Sequence, residues 1–342
     1  MKLRFFLFFI LITSFISSCN FLSSDNKKIE HVGEQNSGYN NEIEKWSKAI
    51  EKDPQNAELY YNRGMVYKAM QKDTLAIMDF QKSTQLDSTV AKYFSAVGDL
   101  MFEHKDVSGS VVWFEKALAL NPNDEKAHLK MAKLFLFIEE YPKAFIEINT
   151  VLRVNVYNAE AYFLKGMCYK SMQDTNRAIS SFQTAVQNDP KYVDAYMQLG
   201  LIYQAKNDKL SLKYFENAFK SDTSNLETVY AQAMFWQNQN QFEEAKNVYR
   251  RMVTINRAYP KSYYNMGWVL MQQDSMEKAI RQFTIAIENK PDYADAYYNR
   301  GICNESLNKF QEALDDYNQA LSFNNENQNY LQAKNRVSSK IK

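Results

Sequence analysis

Three histidines and three cysteines are all that this chain of 342 residues offers for metal ligation or thiol chemistry. Neither set is spaced for the task. His31, His104 and His128 are scattered, and no His-Glu-x-x-His, Cys-x-x-Cys, serine nucleophile elbow or phosphate-cradling glycine loop occurs. Such motifs work because their spacing places ligands, or a nucleophile and its base, on one side of a backbone element. Carboxylates are plentiful, yet pairs such as Asp315-Asp316 and Glu243-Glu244 are adjacent in sequence and point to different sides of a helix. They read as solvated faces. The sequence therefore offers no catalytic residue, no metal site and no cofactor, and the chain is expected not to be an enzyme.

One cysteine does have a context. Lys2 and Arg4 precede an apolar run from Phe5 to Ile16, and Ser17, Ser18 and Cys19 follow it. A basic start, an apolar core and small residues form an export signal. The run is shorter than the roughly 20 apolar residues of a membrane-spanning helix, which argues against an uncleaved anchor. Ile16 to Cys19 resembles a bacterial lipobox, with Ile16 where Leu is commoner and Ser18 where Gly or Ala is commoner. The resemblance implies a signal peptide at 1–18 and lipidation (palmitate or similar) of Cys19; an ordinary secretory signal before an unmodified cysteine is the other reading. Asn20, where an Asp would imply retention at the inner membrane, points to a lipid anchor in the outer membrane of a bacterial cell envelope, facing the periplasm or the cell surface. Residues 19–40 are polar, contain Gly33 and Gly38 and show no apolar period, so they read as a flexible tether. The folded part is expected at 41–342.

That part is periodic. Gly64, Gly98, Gly166 and Gly200 are spaced by 34, 68 and 34 residues, Gly267 and Gly301 by 34, and Ala132 and Ala233 fill the gaps. Four residues before each small residue stands a large side chain, such as Tyr60, Phe94, Tyr162 or Tyr196. Twelve after it, or eleven in the fifth copy, stands Ala or Ser, and four further on a bulky residue such as Phe80, Phe114, Phe182 or Phe215. Each copy carries two stretches with the i, i+3, i+4, i+7 recurrence of a helix with one apolar stripe. Small residues on both let the two backbones approach. Pro54, Pro122, Pro190 and Pro291 end the second helix of a pair by lacking an N–H and fixing φ. Cys168 and Cys303 each lie two after a lattice glycine, four copies apart, too distant for a disulfide.

Tyr60-Tyr61-Asn62-Arg63-Gly64, Ala76, Phe80, Asp189-Pro190 and Pro291-Asp292 together resemble the tetratricopeptide repeat (TPR) family in eight registers between about residues 41 and 342. The resemblance implies an all-α, right-handed α-solenoid of antiparallel helix hairpins. About eight repeats are expected, with an N-terminal half-repeat at Glu42–Glu51 and a polar capping helix at Glu326–Ile341. The third and sixth repeats depart from the pattern at Ala132, Val156 and Arg257, and should pack or join somewhat differently.

In that family the inward side chains lie three before, one after and four after the lattice glycine. Here 16 of those 24 places are apolar or aromatic. Met65, Phe163, Met167, Tyr230, Met234, Tyr264, Trp268 and Met271 are the candidate lining of a peptide-binding groove; contacts between neighbouring repeats are the competing explanation. Lys92, Lys126, Lys130 and Lys133 form a possible patch for an acidic ligand, against a solvated face. Loss of Lys2 and Arg4 with the leader leaves 39 basic and 40 acidic side chains, which gives no reason to expect nucleic acid. The expected function is a non-catalytic protein–protein scaffold or adaptor that binds a segment of another envelope protein, for assembly or secretion. The alternative is a structural subunit of an outer-membrane complex using its convex face and ends.

Overall fold

A computed structural model describes residues 32–341, with side chains from residue 38. The expected leader, Cys19, His31 and residues 19–31 of the expected tether lie outside the described residues. The described residues contain 18 helices and no strand, an all-α helical-repeat fold. They divide into two compact units whose boundary in the sequence is Asn121–Pro122.

The first unit contains α1 (Val32–Lys52), the hairpin α2 (Ala57–Ala69) with α3 (Asp73–Leu86), and the hairpin α4 (Ala91–Glu103) with α5 (Val107–Leu120). Helix α1 starts well ahead of the expected Glu42, so residues 32–40 are helical and not the end of a tether. No proline interrupts them, and propagating a helix is cheap once its far end is docked, here against α2. Gly38 has nothing within 4 Å, so this extension makes no packing contact there.

The second unit contains six hairpins: α6 (Glu125–Phe137) with α7 (Tyr141–Val154), α8 (Ala159–Ser171) with α9 (Thr175–Asn188), α10 (Val193–Ala205) with α11 (Leu210–Ser221), α12 (Leu226–Asn238) with α13 (Phe242–Ile255), α14 (Pro260–Gln272) with α15 (Met276–Asn289), and α16 (Ala294–Ser306) with α17 (Phe310–Phe323). It ends with α18 (Gln328–Ser338). Here the cap is shorter than expected: Tyr330, Ala333 and Val337 are buried, while Ile341 lies beyond the helix.

Every hairpin turns the same way. Seven residues after the small residue, Gln71, Lys105, Glu139, Gln173, Asn207, Asn240, Asp274 and Asn308 all have φ between 53° and 63°. The next amide closes the helix by donating five residues back, as in Lys72 N–H to the Tyr67 carbonyl (2.9 Å) and Asp174 N–H to that of Tyr169 (2.8 Å). This left-handed C-terminal cap satisfies carbonyls that the helix leaves unpaired. Four of the eight are Asn or Asp, the side chains that bear this conformation best after glycine.

Each lattice glycine is a hole for one ring. A Cβ at Gly166 would lie 2.6 Å from Phe182, at Gly200 2.3 Å from Phe215, and at Gly301 2.7 Å from Tyr317. Those rings are wholly buried. Where alanine replaces glycine the helices stand further apart, and α6–α7 and α12–α13 are the least closely packed hairpins. That is the physical form of the departures expected in the third and sixth repeats.

Polar links repeat as well. Arg63 grips Asp79 with two bonds of 2.8 Å and donates to Ser47 Oγ at 3.1 Å, and Arg300 grips Asp316 and donates to Thr284 Oγ1 at 3.0 Å. A planar fork suits such a buried carboxylate. Helix α18 is tied by Glu305, which receives Arg336 at 2.7 and 2.9 Å, Lys340 at 2.8 Å and the Tyr317 hydroxyl at 2.9 Å. These donors, Arg336 first, hold the Glu305 carboxyl down at about 2 from its ordinary 4.5. A carboxyl depressed on folding stabilises above its unfolded pKa, so the link is complete above pH 4.5 and is lost as the pH falls toward about 2. Arg336 and Lys340 are about half exposed, so we expect roughly 1–2 kcal/mol from it. Hydrogen-exchange protection factors in α18 should therefore fall between pH 4.5 and 3, and Glu305→Gln should remove that pH dependence.

Candidate functional site

Within the second unit two pairs of neighbouring first helices touch, α6 with α8 and α14 with α16, and α16 touches α18. Successive second helices do not pack comparably. The side of this unit that its first helices present is its inner face. One residue after the lattice position that face carries Lys133 and then Met167, Leu201, Met234, Trp268 and Ile302, an apolar row through five consecutive repeats. Leu201 is 41% exposed and the others are half-buried. Met65 holds the same place in the first unit and is 44% exposed.

The expected groove residues divide by depth. Phe163, three before its glycine, is 1% exposed, its ring 5.7 Å from Phe182 and 5.2 Å from Tyr192. It is packing between repeats and not a surface for a ligand. Tyr264 stacks on Tyr293 at 4.9 Å, accepts from Asn299 Nδ2 at 2.9 Å and lies 5.8 Å from Phe283; Tyr230 packs against Tyr249 at 6.4 Å under the Lys261 ammonium. Both are half-buried. Met234 Sδ is 3.5 Å from the Tyr249 hydroxyl, and Trp268 meets Phe242 edge to face at 6.4 Å. Met167, Met234, Trp268 and Met271 thus combine a packed root with an accessible edge, on a floor of interlocked tyrosines.

Tyr192, Tyr259 and Tyr293 belong to this floor, although no helical period marks them. They stand eight before the lattice residue, just ahead of the first helix, and the recurrence of Tyr there in three repeats is the signal that could have found them. Burial raises the pKa of Tyr230, Tyr259 and Tyr293, and lifts that of Tyr264 to about 12, with Asp295 adding to it. Their hydroxyls stay protonated at neutral pH and can donate. Charges rim the floor. Glu227 receives Tyr259 at 2.6 Å and Lys261 at 2.9 Å; burial would raise this carboxyl, but the two donors hold it below the usual range. Asp295 receives the Tyr330 hydroxyl.

The four expected lysines are divided between the two units. Lys92 belongs to the first unit, where it pairs with Glu58 at 2.7 Å; Lys126, Lys130 and Lys133 belong to the second, where Lys133 pairs with Glu160 at 2.5 Å. Surface pairs of this kind neutralise the charge that an acidic ligand would need. His128 is held between Glu147 (2.5 Å) and the Pro122 carbonyl (2.9 Å), and His104 lies 3.0 Å from Asp73. Cys168 and Cys303 are fully buried, and burial pushes both thiols up to about 12, far from a reactive thiolate. No helix of the described residues is long and apolar enough to cross a membrane.

Comparison with known proteins agrees with this architecture. Family models described as tetratricopeptide repeat match residues 57–89, 159–192, 260–293 and 294–327, and one described as TPR repeat matches 39–71. The chain thus carries tetratricopeptide repeats, which in general serve as non-catalytic protein–protein interaction modules. Similar curated proteins include the human Superkiller complex protein 3, 24% identical over 72% of this chain and 17% of its own length. The DnaJ homolog subfamily C member 7 homolog of Dictyostelium discoideum is 22% identical over 78% of this chain and 45% of its own length. The chain thus spans less than half of either relative. Among solved structures, the C-terminal part of a TPR repeat-containing protein from Cytophaga hutchinsonii superposes with a TM-score of 0.51 at 16% identity, covering 67% of this chain and 94% of that one. At that identity the likeness concerns the fold.

Proposed function

We propose that this chain is a scaffold that receives an apolar segment of another protein along the inner face of its second unit, at the bacterial cell envelope, where Cys19 carries its lipid anchor. The apolar row Met167, Leu201, Met234, Trp268 and Ile302 carries the reading. It is contiguous over five repeats, it sits on a rigid tyrosine floor, and its rim offers hydroxyl donors and both charges for a partner's backbone and side chains. Adaptable methionines beside rigid aromatics suit a segment whose side chains need only be apolar and spaced to match.

Affinity purification of the tagged full chain from its native membranes tests this. A partner recovered with the natural chain and lost with Leu201→Glu supports the face as the working site. A second reading, a structural subunit, draws on the exposed Phe137, Ile146, Val154 and Tyr157 of the third repeat. It requires recovery that Leu201→Glu leaves untouched. Cys19→Ser is expected to move the chain from the membrane to the soluble fraction, and its retention in membranes would refute the anchor.

A further inference from the structure

On the outer side of the second unit, helices α13 and α15 flank a cavity of about 310 Å³ with Met266 of α14 on its floor. Four cations line it: Lys246 and Arg250 from α13, Lys278 and Arg281 from α15. Lys246 donates to Glu243 at 2.7 Å and to Gln273 at 3.0 Å, and Arg250 donates to Asn247 at 2.7 Å. Neither Lys278 nor Arg281 has an ion-pair partner among the described residues. No carboxylate is among the lining residues, and Glu243, which pairs with Lys246, is largely exposed. Gln282 also lines the cavity, and its side-chain oxygen is buried without any hydrogen-bond partner.

Such a concentration of like charge raises the free energy of the empty site. A bound anion relieves it. From this juxtaposition we infer that the cavity between α13 and α15 binds a phosphate-bearing ligand of about the size of a pyrophosphate or a sugar phosphate. A phosphomonoester carries about −1.5 to −2 charge at neutral pH and retains its last proton part of the time. Its oxygens take the Arg and Lys donors. A carboxylate has fewer oxygens and a single charge. The site faces away from the apolar row, and its occupancy does not depend on the scaffold reading.

Calorimetric titration of the full chain with pyrophosphate, beside citrate as a tricarboxylate of similar charge, tests the site. Pyrophosphate is expected to bind at least tenfold more tightly than citrate, and less tightly as salt rises. Lys278→Ala with Arg281→Ala should weaken it at least tenfold with an unchanged circular dichroism spectrum, because neither side chain is committed to the fold. Vesicles of phosphatidic acid in phosphatidylcholine, presented to the Cys19→Ser chain, identify the source: binding to them alone, lost in the double variant, assigns a lipid headgroup, and binding of free pyrophosphate assigns a soluble ligand. Equal affinity for citrate, binding that the double variant retains, or no binding of either phosphate form at low salt overturns the proposal.

Discussion

Phe182→Ala is expected to destabilise the fourth repeat by about 3–5 kcal/mol, the range for deleting a fully buried ring. The upper part of the range applies because the ring sits over Gly166, which has no side chain to refill the space, and because Phe163 loses its neighbour at 5.7 Å. The same contact predicts a reversal of sign. In the natural chain Gly166→Ala forces a Cβ to 2.6 Å from the Phe182 ring, an overpacking that costs about 1–3 kcal/mol. In the Phe182→Ala background that methyl group enters the vacated space and should be neutral or stabilising. A double-mutant cycle in urea, followed by circular dichroism, should give a coupling of more than 1 kcal/mol between the two sites. Stacked repeats lose cooperativity when one is weakened, so the loss should show as an earlier, separate transition and not as a uniform shift. Additive effects would mean that the glycine lattice is not a set of ring holes.

That lattice was fully legible in the sequence, since each glycine and its ring partner lie in one hairpin and are related by a fixed spacing. What a spacing does not reveal is which neighbour covers a given face. Phe163 and Tyr264 occupy equivalent places, yet Phe163 is sealed and Tyr264 keeps an accessible side. Tyr192, Tyr259 and Tyr293 lie just ahead of their first helices, where no amphipathic period applies. The division at Asn121–Pro122 left no mark beyond a proline of the kind that ends other repeats. The basic cavity was hidden for a related reason. Lys246 and Arg250 on α13, and Lys278 and Arg281 on α15, each look like an ordinary solvated helix face, and only the placement of both helices around α14 brings four charges to one cavity. The lysines that sequence spacing did group, Lys126, Lys130 and Lys133, include one already paired with Glu160. Periodicity identifies the contacts within a repeat, and charge or exposure has to be counted after neighbouring repeats are in place.

The apolar row leads to the other large effect. Trp268→Ala is expected to weaken partner recovery at least 30-fold, the equivalent of about 2 kcal/mol or more for a central aromatic anchor. Trp268 is rooted against Phe242, so the same substitution also removes packing within the unit, and a loss of binding alone would not separate the two causes. Leu201 separates them. It is 41% exposed, so Leu201→Ala removes little that the fold uses, and Leu201→Glu places a charge where a partner's apolar side chain must lie while leaving the free protein solvated. Burying that charge without a counterion costs several kcal/mol in the complex and almost nothing in the free chain. The expected order of recovery is natural chain, then Leu201→Ala, then Trp268→Ala, with Leu201→Glu lowest and its thermal unfolding close to that of the natural chain. If Trp268→Ala abolishes recovery while Leu201→Glu is inert, the tryptophan acts by supporting the α13–α14 junction, and the row is not the binding surface.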